Sequence, residues 1–200
     1  MVTLVVHHRV RDYDAWKPVF DEHESVRRSH GQVEHRIYRY PGDANSVVIH
    51  NDFETGEAAR GFLADPSLAE AMERGGVEGK PGSGFLSLVE RRVYADPVDS
   101  PVVCVVHHRV NDYDAWKPVF DEHEDVRRAH GALEHRLYQD PYEPNRVVIH
   151  NDFPSEEAAR GFLADPSLAD AMQRGGVIGE PGVGTAVPGE RKVYAATPVA

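Results

Sequence analysis

Displaced by 100 residues, the sequence aligns with itself without a gap, and 66 of 100 positions are identical. VVHHRV at 5–10 returns at 105–110, DYDAWKPVFDEHE at 12–24 returns at 112–124, and ARGFLADPSLA at 59–69 returns at 159–169. Two copies are too few for a solenoid, whereas roughly 100 residues make a complete small domain. The expected organisation is a first repeat at 1–95, a linker at 96–101 and a second repeat at 102–195. The linker DPVDSP carries two prolines and two acids, which break any regular element.

One copy reads as β-α-β-β-α-β. Residues 2–10 are β-branched and apolar, as in a strand. Asp12 can cap a helical stripe of Trp16, Val19, Phe20, His23, Val26 and Arg27, and Gly31 ends it. Pro18 suits an early helical turn, which leaves Asp12–Trp16 as a separate short turn. QVEHRIYRY (32–40) alternates as a strand, PGDAN (41–45) is turn chemistry, and 46–53 is a third strand. Thr55, or Ser155 in the second copy, caps a helix through Leu63, and Asp65-Pro66 restarts one that ends at Gly75-Gly76. A Gly/Pro loop then leads to a last strand at about 84–94. In the second copy Pro188 and Gly189 should weaken that strand, giving a frayed edge or an opening. The class is α+β, with ferredoxin-like βαββαβ repeats. A sheet with helices on one side needs a cover on the other. Two copies in one chain supply it, sheet against sheet, as an intramolecular pseudo-dimeric α+β barrel.

Charge narrows the partners. The chain holds 33 Asp+Glu against 22 Lys+Arg, and both halves are acidic. Nucleic acid and anionic membrane surfaces need a basic face, so neither is expected. No apolar run approaches the roughly 20 residues of a membrane span. The start MVTLVVHHRV lacks signal-peptide character, so a soluble cytoplasmic protein is expected. The single Cys104 excludes an internal disulfide and stands where the first copy has Leu4, as a small buried hydrophobe.

The unusual composition is 12 histidines, all paired across the repeat: His7, His8, His23, His30, His35 and His50 with their partners 100 later. Strand alternation puts Leu4, Val6, His8 and Val10 on one face, with Val33, His35 and Ile37, and with Val47, Ile49, Asn51 and Phe53. This apolar face should meet the helices, and His23 lies on the helical stripe toward it. Three imidazoles, His8, His23 and His35, are thus expected in one apolar cavity beside Asn51. His108, His123, His135 and Asn151 repeat the set, with Trp16, Phe20, Trp116 and Phe120 as walls. Imidazole can move a proton or polarise a carbonyl near neutral pH. Three histidines with an open position also form the ligand set of a divalent transition metal. A metal-free polar pocket and core histidines satisfied by hydrogen bonds are the competing readings.

The remaining histidines read as structural. His7 and His50 share the opposite face with Arg9, Glu34, Arg36, Tyr38 and Asp52, where mixed charges form an ion-pair network. A second site of His7, His50 and Asp52 is the sharper alternative. His30 precedes Gly31 at a helix end, where an imidazolium suits the dipole. Ser67 and Ser167 read as helix caps.

The element order, together with DYDAW, VVIHNDF and ARGFLADPSLAEAM, resembles the dimeric α+β barrel superfamily, with its antibiotic-biosynthesis-monooxygenase-like and cyclase-like small proteins. The resemblance covers nearly all of each repeat. It implies a pocket inside each unit, between sheet and helices, lined from the first strand by His8. The aromatic that closes the third strand in the family falls at Phe53 and Phe153, which with Met72 and Met172 are expected to bind substrate alongside Trp16, Phe20, Trp116 and Phe120. The helix position that carries a haem-ligating histidine in haem-degrading members falls at Met72 and Met172, so haem is not expected. The monooxygenase asparagine of the third strand falls at about Ile49, which sets that chemistry apart.

Two functions follow. The first is an enzyme of secondary metabolism, in which one histidine acts as base and another, with Asn51, stabilises an enolate during cyclisation, isomerisation or oxygenation of an aromatic or polyketide-like substrate. The alternative is a non-catalytic protein that binds a metal or a small ligand. A further homodimer through exposed edges stays open.

Overall fold

The computed structural model describes residues 1–194. The expected end of the second repeat, at 195, lies outside the described residues. In the first repeat the elements are β1 (Val2–Val10), α1 (Tyr13–Glu22), α2 (Glu24–Ser29), β2 (Gln32–Tyr40), β3 (Asp43–Phe53), α3 (Gly56–Leu63), α4 (Pro66–Arg74) and β4 (Val77–Val93). The second repeats them as β5 (Val102–Val110), α5 (Tyr113–Glu122), α6 (Glu124–Ala129), β6 (Glu134–Gln139), β7 (Arg146–Phe153), α7 (Glu156–Leu163), α8 (Pro166–Arg174) and β8 (Val177–Val193). This is the α+β class with two βαββαβ repeats.

Two compact units form, and they do not follow the repeats. One comprises Met1–Leu86 with residues 188–194, the other Ser87–Val187. Both divisions fall inside the long strands β4 and β8, so each unit ends with residues encoded by the other repeat. Hydrogen-bonded neighbours run β1-β3-β2-β8 in the first unit and β5-β7-β6-β4 in the second.

In the first unit β1 is flanked by antiparallel β3 and the first half of β4, and β3 also pairs with β2. Leu4, Val6, Phe53, Ala59 and Phe62 pack as one core cluster, and Val10, Trp16, Ile37, Val47 and Ile49 as another. The alternation read from sequence therefore assigned the helix-facing side correctly. The second unit repeats this, with Cys104 at the place of Leu4. Burial pushes the Cys104 thiol up to about 12, so it is an inert core group.

Three local expectations change. The first helix does not break before Pro18; Asp12 caps α1 and Pro18 lies within it. The break comes at His23, whose φ/ψ of −78°/4° turns the chain into α2. The Gly/Pro stretch after α4 is strand rather than loop. It pairs with β1 through a register shift between His7 and Arg9, beside Gly79 at φ +68°. Gly82 sits opposite His7, and a Cβ there would collide with the imidazole. Finally, Pro188 and Gly189 do not interrupt β8, which runs 17 residues. Their counterparts in β4 lie at a register shift between Leu88 and Glu90, where a bulged residue makes no ladder bond and proline is tolerated.

Candidate functional site

In each unit a cavity lies between the sheet and the helices. In the first it is lined by Val6, His8, Trp16, Val19, Phe20 and His23, with Arg27, Ile49, Asn51, Phe62, Leu68, Ala71 and Met72 closing it. The second carries the same positions 100 later. Each holds about 460 Å³ of atom-free space, counted out to its mouth.

The walls are aromatic. Trp16 and Phe20 sit one helical turn apart on α1 and stack at 5.0 Å, and His8 meets the Trp16 edge at 5.8 Å. His8 reaches the cavity from β1 because strand alternation turns it with Leu4 and Val6 toward the helices. It is 8% exposed, and neither ring nitrogen has a hydrogen-bond partner. Burial, then the neighbouring His7, lowers its pKa to about 4, so the ring is neutral at pH 7. His108 behaves alike, also at about 4.

His23 closes α1 and faces the same cavity. Its Nε2 lies 2.9 Å from Ser67 Oγ, and Ser67 in turn donates to Asp65 at 2.6 Å. The hydroxyl proton is thus committed to Asp65, which makes His23 Nε2–H the donor to Ser67. The cap of α4 is Asp65, accepting from the Ser67 amide, rather than Ser67 itself. The same Asp65 takes His30 Nε2 at 2.9 Å, so His30 pairs with a carboxylate instead of merely facing a helix dipole.

His35 and His135 do not join this set. His35 is 1% exposed and lies behind Phe20, edge-on at 5.1 Å. Its Nδ1 accepts from Tyr194 Oη at 2.6 Å, and its Nε2 donates to Glu190 at 2.6 Å. Lys17 holds Glu190 at 2.9 Å. In the second unit Tyr94 and Glu90 embrace His135 in the same way, and burial lowers its pKa to about 4. Glu190 and Tyr194 are encoded 155 and 159 residues from His35, beyond the reach of any spacing argument.

The proposed metal triads are therefore not assembled. Among the described residues no group of three or more His, Cys, Asp or Glu is placed to hold a metal ion. Two cavity histidines and a third engaged elsewhere do not fit a transition-metal site. Phe53 and Phe153 also stand away from the cavity, as fully buried core rings at 5.6 and 5.5 Å from Phe62 and Phe162. Trp16, Phe20, Met72, Trp116, Phe120 and Met172 do line it. On the opposite face the ion-pair reading holds: Arg36 binds Asp52 at 2.5 Å and Glu34 at 3.4 Å, and His50 meets Tyr38 edge-on.

The residue missed by the sequence reading is Arg27. It is 2% exposed, with its guanidinium 3.8 Å over the Phe20 ring and Nη1 bonded to Phe20 O at 2.6 Å. Its Nε donates to Gln32 at 3.1 Å, and Gln32 donates to Asn51 at 2.7 Å. Its Nη2 has no hydrogen-bond partner. Burial lowers the Arg27 pKa, partly offset by the Tyr194 hydroxyl. The signal was a charged residue on an otherwise apolar helical stripe. Each cavity thus joins an apolar slot, a neutral imidazole with two free nitrogens and a buried cation.

No protein-family model matches the sequence, and no curated protein matches it. Solved structures do share the fold. An anthrone oxidase-like protein superposes at TM-score 0.68 and 11% identity, over 96% of this chain and 92% of its own. A chlorite dismutase from Candidatus Nitrospira defluvii, in complex with imidazole, gives 0.63 and 12%, over 94% and 91%. A ferredoxin-fold protein of Listeria monocytogenes 4b F2365, related to antibiotic biosynthesis monooxygenases, gives 0.52 and 9%, over 95% of each chain. At these identities the likeness concerns the fold, and it agrees with the superfamily resemblance carried by the sequence.

Proposed function

We propose that this chain, with the fold of the antibiotic-biosynthesis-monooxygenase-like α+β proteins, is a small-molecule enzyme that deprotonates an enolisable aromatic, polyketide-like substrate. The proton removed opens the way to oxygenation, or to cyclisation or isomerisation. The observation that carries this reading is the pairing of unbonded neutral His8 with the buried Arg27 cation in one aromatic slot. A structural histidine at 8% exposure should satisfy its nitrogens, because an unpaired buried polar group costs about 1–3 kcal/mol.

The chemistry follows from the charges. A flat substrate stacks against Trp16 and Phe20 with its acidic C–H toward His8. His8 takes the proton, and the electron pair moves into the carbonyl to give an enolate oxyanion beside Arg27. Burial disfavours imidazolium in the empty slot, but a nascent anion next to it favours the charged form. Arg27 shares that anion in a low-dielectric pocket, where preorganised charge is most effective. Oxygenation would need only dioxygen from solution as oxidant, reacting with the carbanion. The anthrone oxidase-like neighbour is in keeping with a substrate of this class.

The test uses anthrone, whose methylene protons exchange with deuterium oxide on enolisation. Wild-type protein should accelerate exchange and oxygen uptake together. His8→Gln/His108→Gln should lower both by about 100-fold, as loss of a positioned base does. Wild-type rates in the double variant would end the proposal. Anthrone binding without accelerated exchange would favour the non-catalytic ligand-binding reading.

A further inference from the structure

Behind identical linings the two cavities differ at a buried polar position, 32 in the first repeat and 132 in the second. In the first unit Gln32, 4% exposed, satisfies two site residues at once: its carbonyl accepts from Arg27 Nε and its amide donates to Asn51 Oδ1. The second copy has Ala132 there, also 4% exposed. Arg127 Nε and Asn151 Oδ1 are accordingly left without hydrogen-bond partners, although each residue is 2% exposed and lines the second cavity. The residues that line the two slots are otherwise the same, position for position.

We infer that the second site is built to take a substituent that the first site already carries in its own wall. Gln32 supplies one acceptor and one donor from a planar amide. A ligand that completes the second site must bring the same pair, as a primary carboxamide does, beside the ring held by Trp116 and Phe120. The two sites then select different members of one substrate class, the first a plain fused-ring phenol, the second its carboxamide-bearing analogue. Position 32/132 is the specificity-determining residue. This inference rests on the aromatic-ligand reading above.

The experiment is calorimetric titration of the full chain with 1-naphthol and with 1-hydroxy-2-naphthamide. The first should bind two equal sites. The second should give two classes, one at least about tenfold tighter, since a hydrogen bond to a buried charged group carries that much discrimination. Ala132→Gln should remove the tight class and, in the free protein, raise the melting temperature by pairing Arg127 and Asn151. Gln32→Ala should create a second tight site and lower the melting temperature. Two equal sites for the naphthamide, or a tight class that survives Ala132→Gln, would overturn the inequivalence while leaving the aromatic reading intact. Absence of binding of either compound to the wild type would overturn both.

Discussion

At the scale of the residue, His8 and Arg27 set the energetics. Two imidazole nitrogens without partners in a cavity are a loss of stability that a folded protein keeps only where it gains something else. His8→Phe/His108→Phe puts an apolar ring where the unpaired nitrogens stood. The double variant should unfold at a higher temperature, by about 1 kcal/mol per site, while enolisation is lost. A lower melting temperature would mean that the imidazoles hold the fold together. Arg27 is the opposite case. Its guanidinium lies on Phe20 and binds the Phe20 carbonyl, so it ties α2 to α1 as well as charging the slot. The sequence marked His8, His23 and Asn51 through periodicity alone. It misassigned His35, whose partners Tyr194 and Glu190 come from the far end of the chain.

At the scale of the element, strand alternation was legible because one face of β1 and β3 is apolar apart from His8 and Asn51. Helix starts were legible where Asp12 and Thr55 cap them, whereas the cap before Pro66 is Asp65 and not the expected Ser67. The long strand β4 was not legible, since glycine and proline argue for a loop. There Gly79 occupies a left-handed conformation and Gly82 makes room for His7, requirements set by the partner strand. Glycine also shapes the site. At the end of α4 a Cβ on Gly75 would stand 2.9 Å from Trp16 Cδ1 and 3.1 Å from the Ala71 carbonyl. Gly75→Ala should therefore displace Trp16, destabilise the protein by about 1–3 kcal/mol and weaken naphthol binding. Gly84→Ala, whose Cβ would meet nothing within 4 Å, is the control and should be near neutral. Equal effects in thermal unfolding and in titration would refute the packing argument.

At the scale of the whole molecule the duplication fixed the class and the element order, and the exchange of half-strands between the compact units lay beyond it. The buried histidines give the molecule a common acid response. His8, His108 and His135 are held at about 4 by burial, against an ordinary value of 6.5. The folded state binds fewer protons than the unfolded chain between these values. The stability is thus complete above pH 6.5 and is lost as pH falls toward 4, by up to about 3 kcal/mol per histidine. Asp65 and Asp165, lowered to about 2 by bonds from serine and histidine, add to the loss at still lower pH. The most direct measurement is a nuclear magnetic resonance titration of the His8 and His108 rings, run with thermal unfolding at each pH, with and without 1-naphthol. Both rings should titrate near 4 in the free protein and move upward when the slot holds the phenol, with unfolding temperature falling from pH 6.5 downward. Rings that titrate near 6.5 and ignore the ligand would contradict a neutral, unbonded base waiting in an aromatic slot.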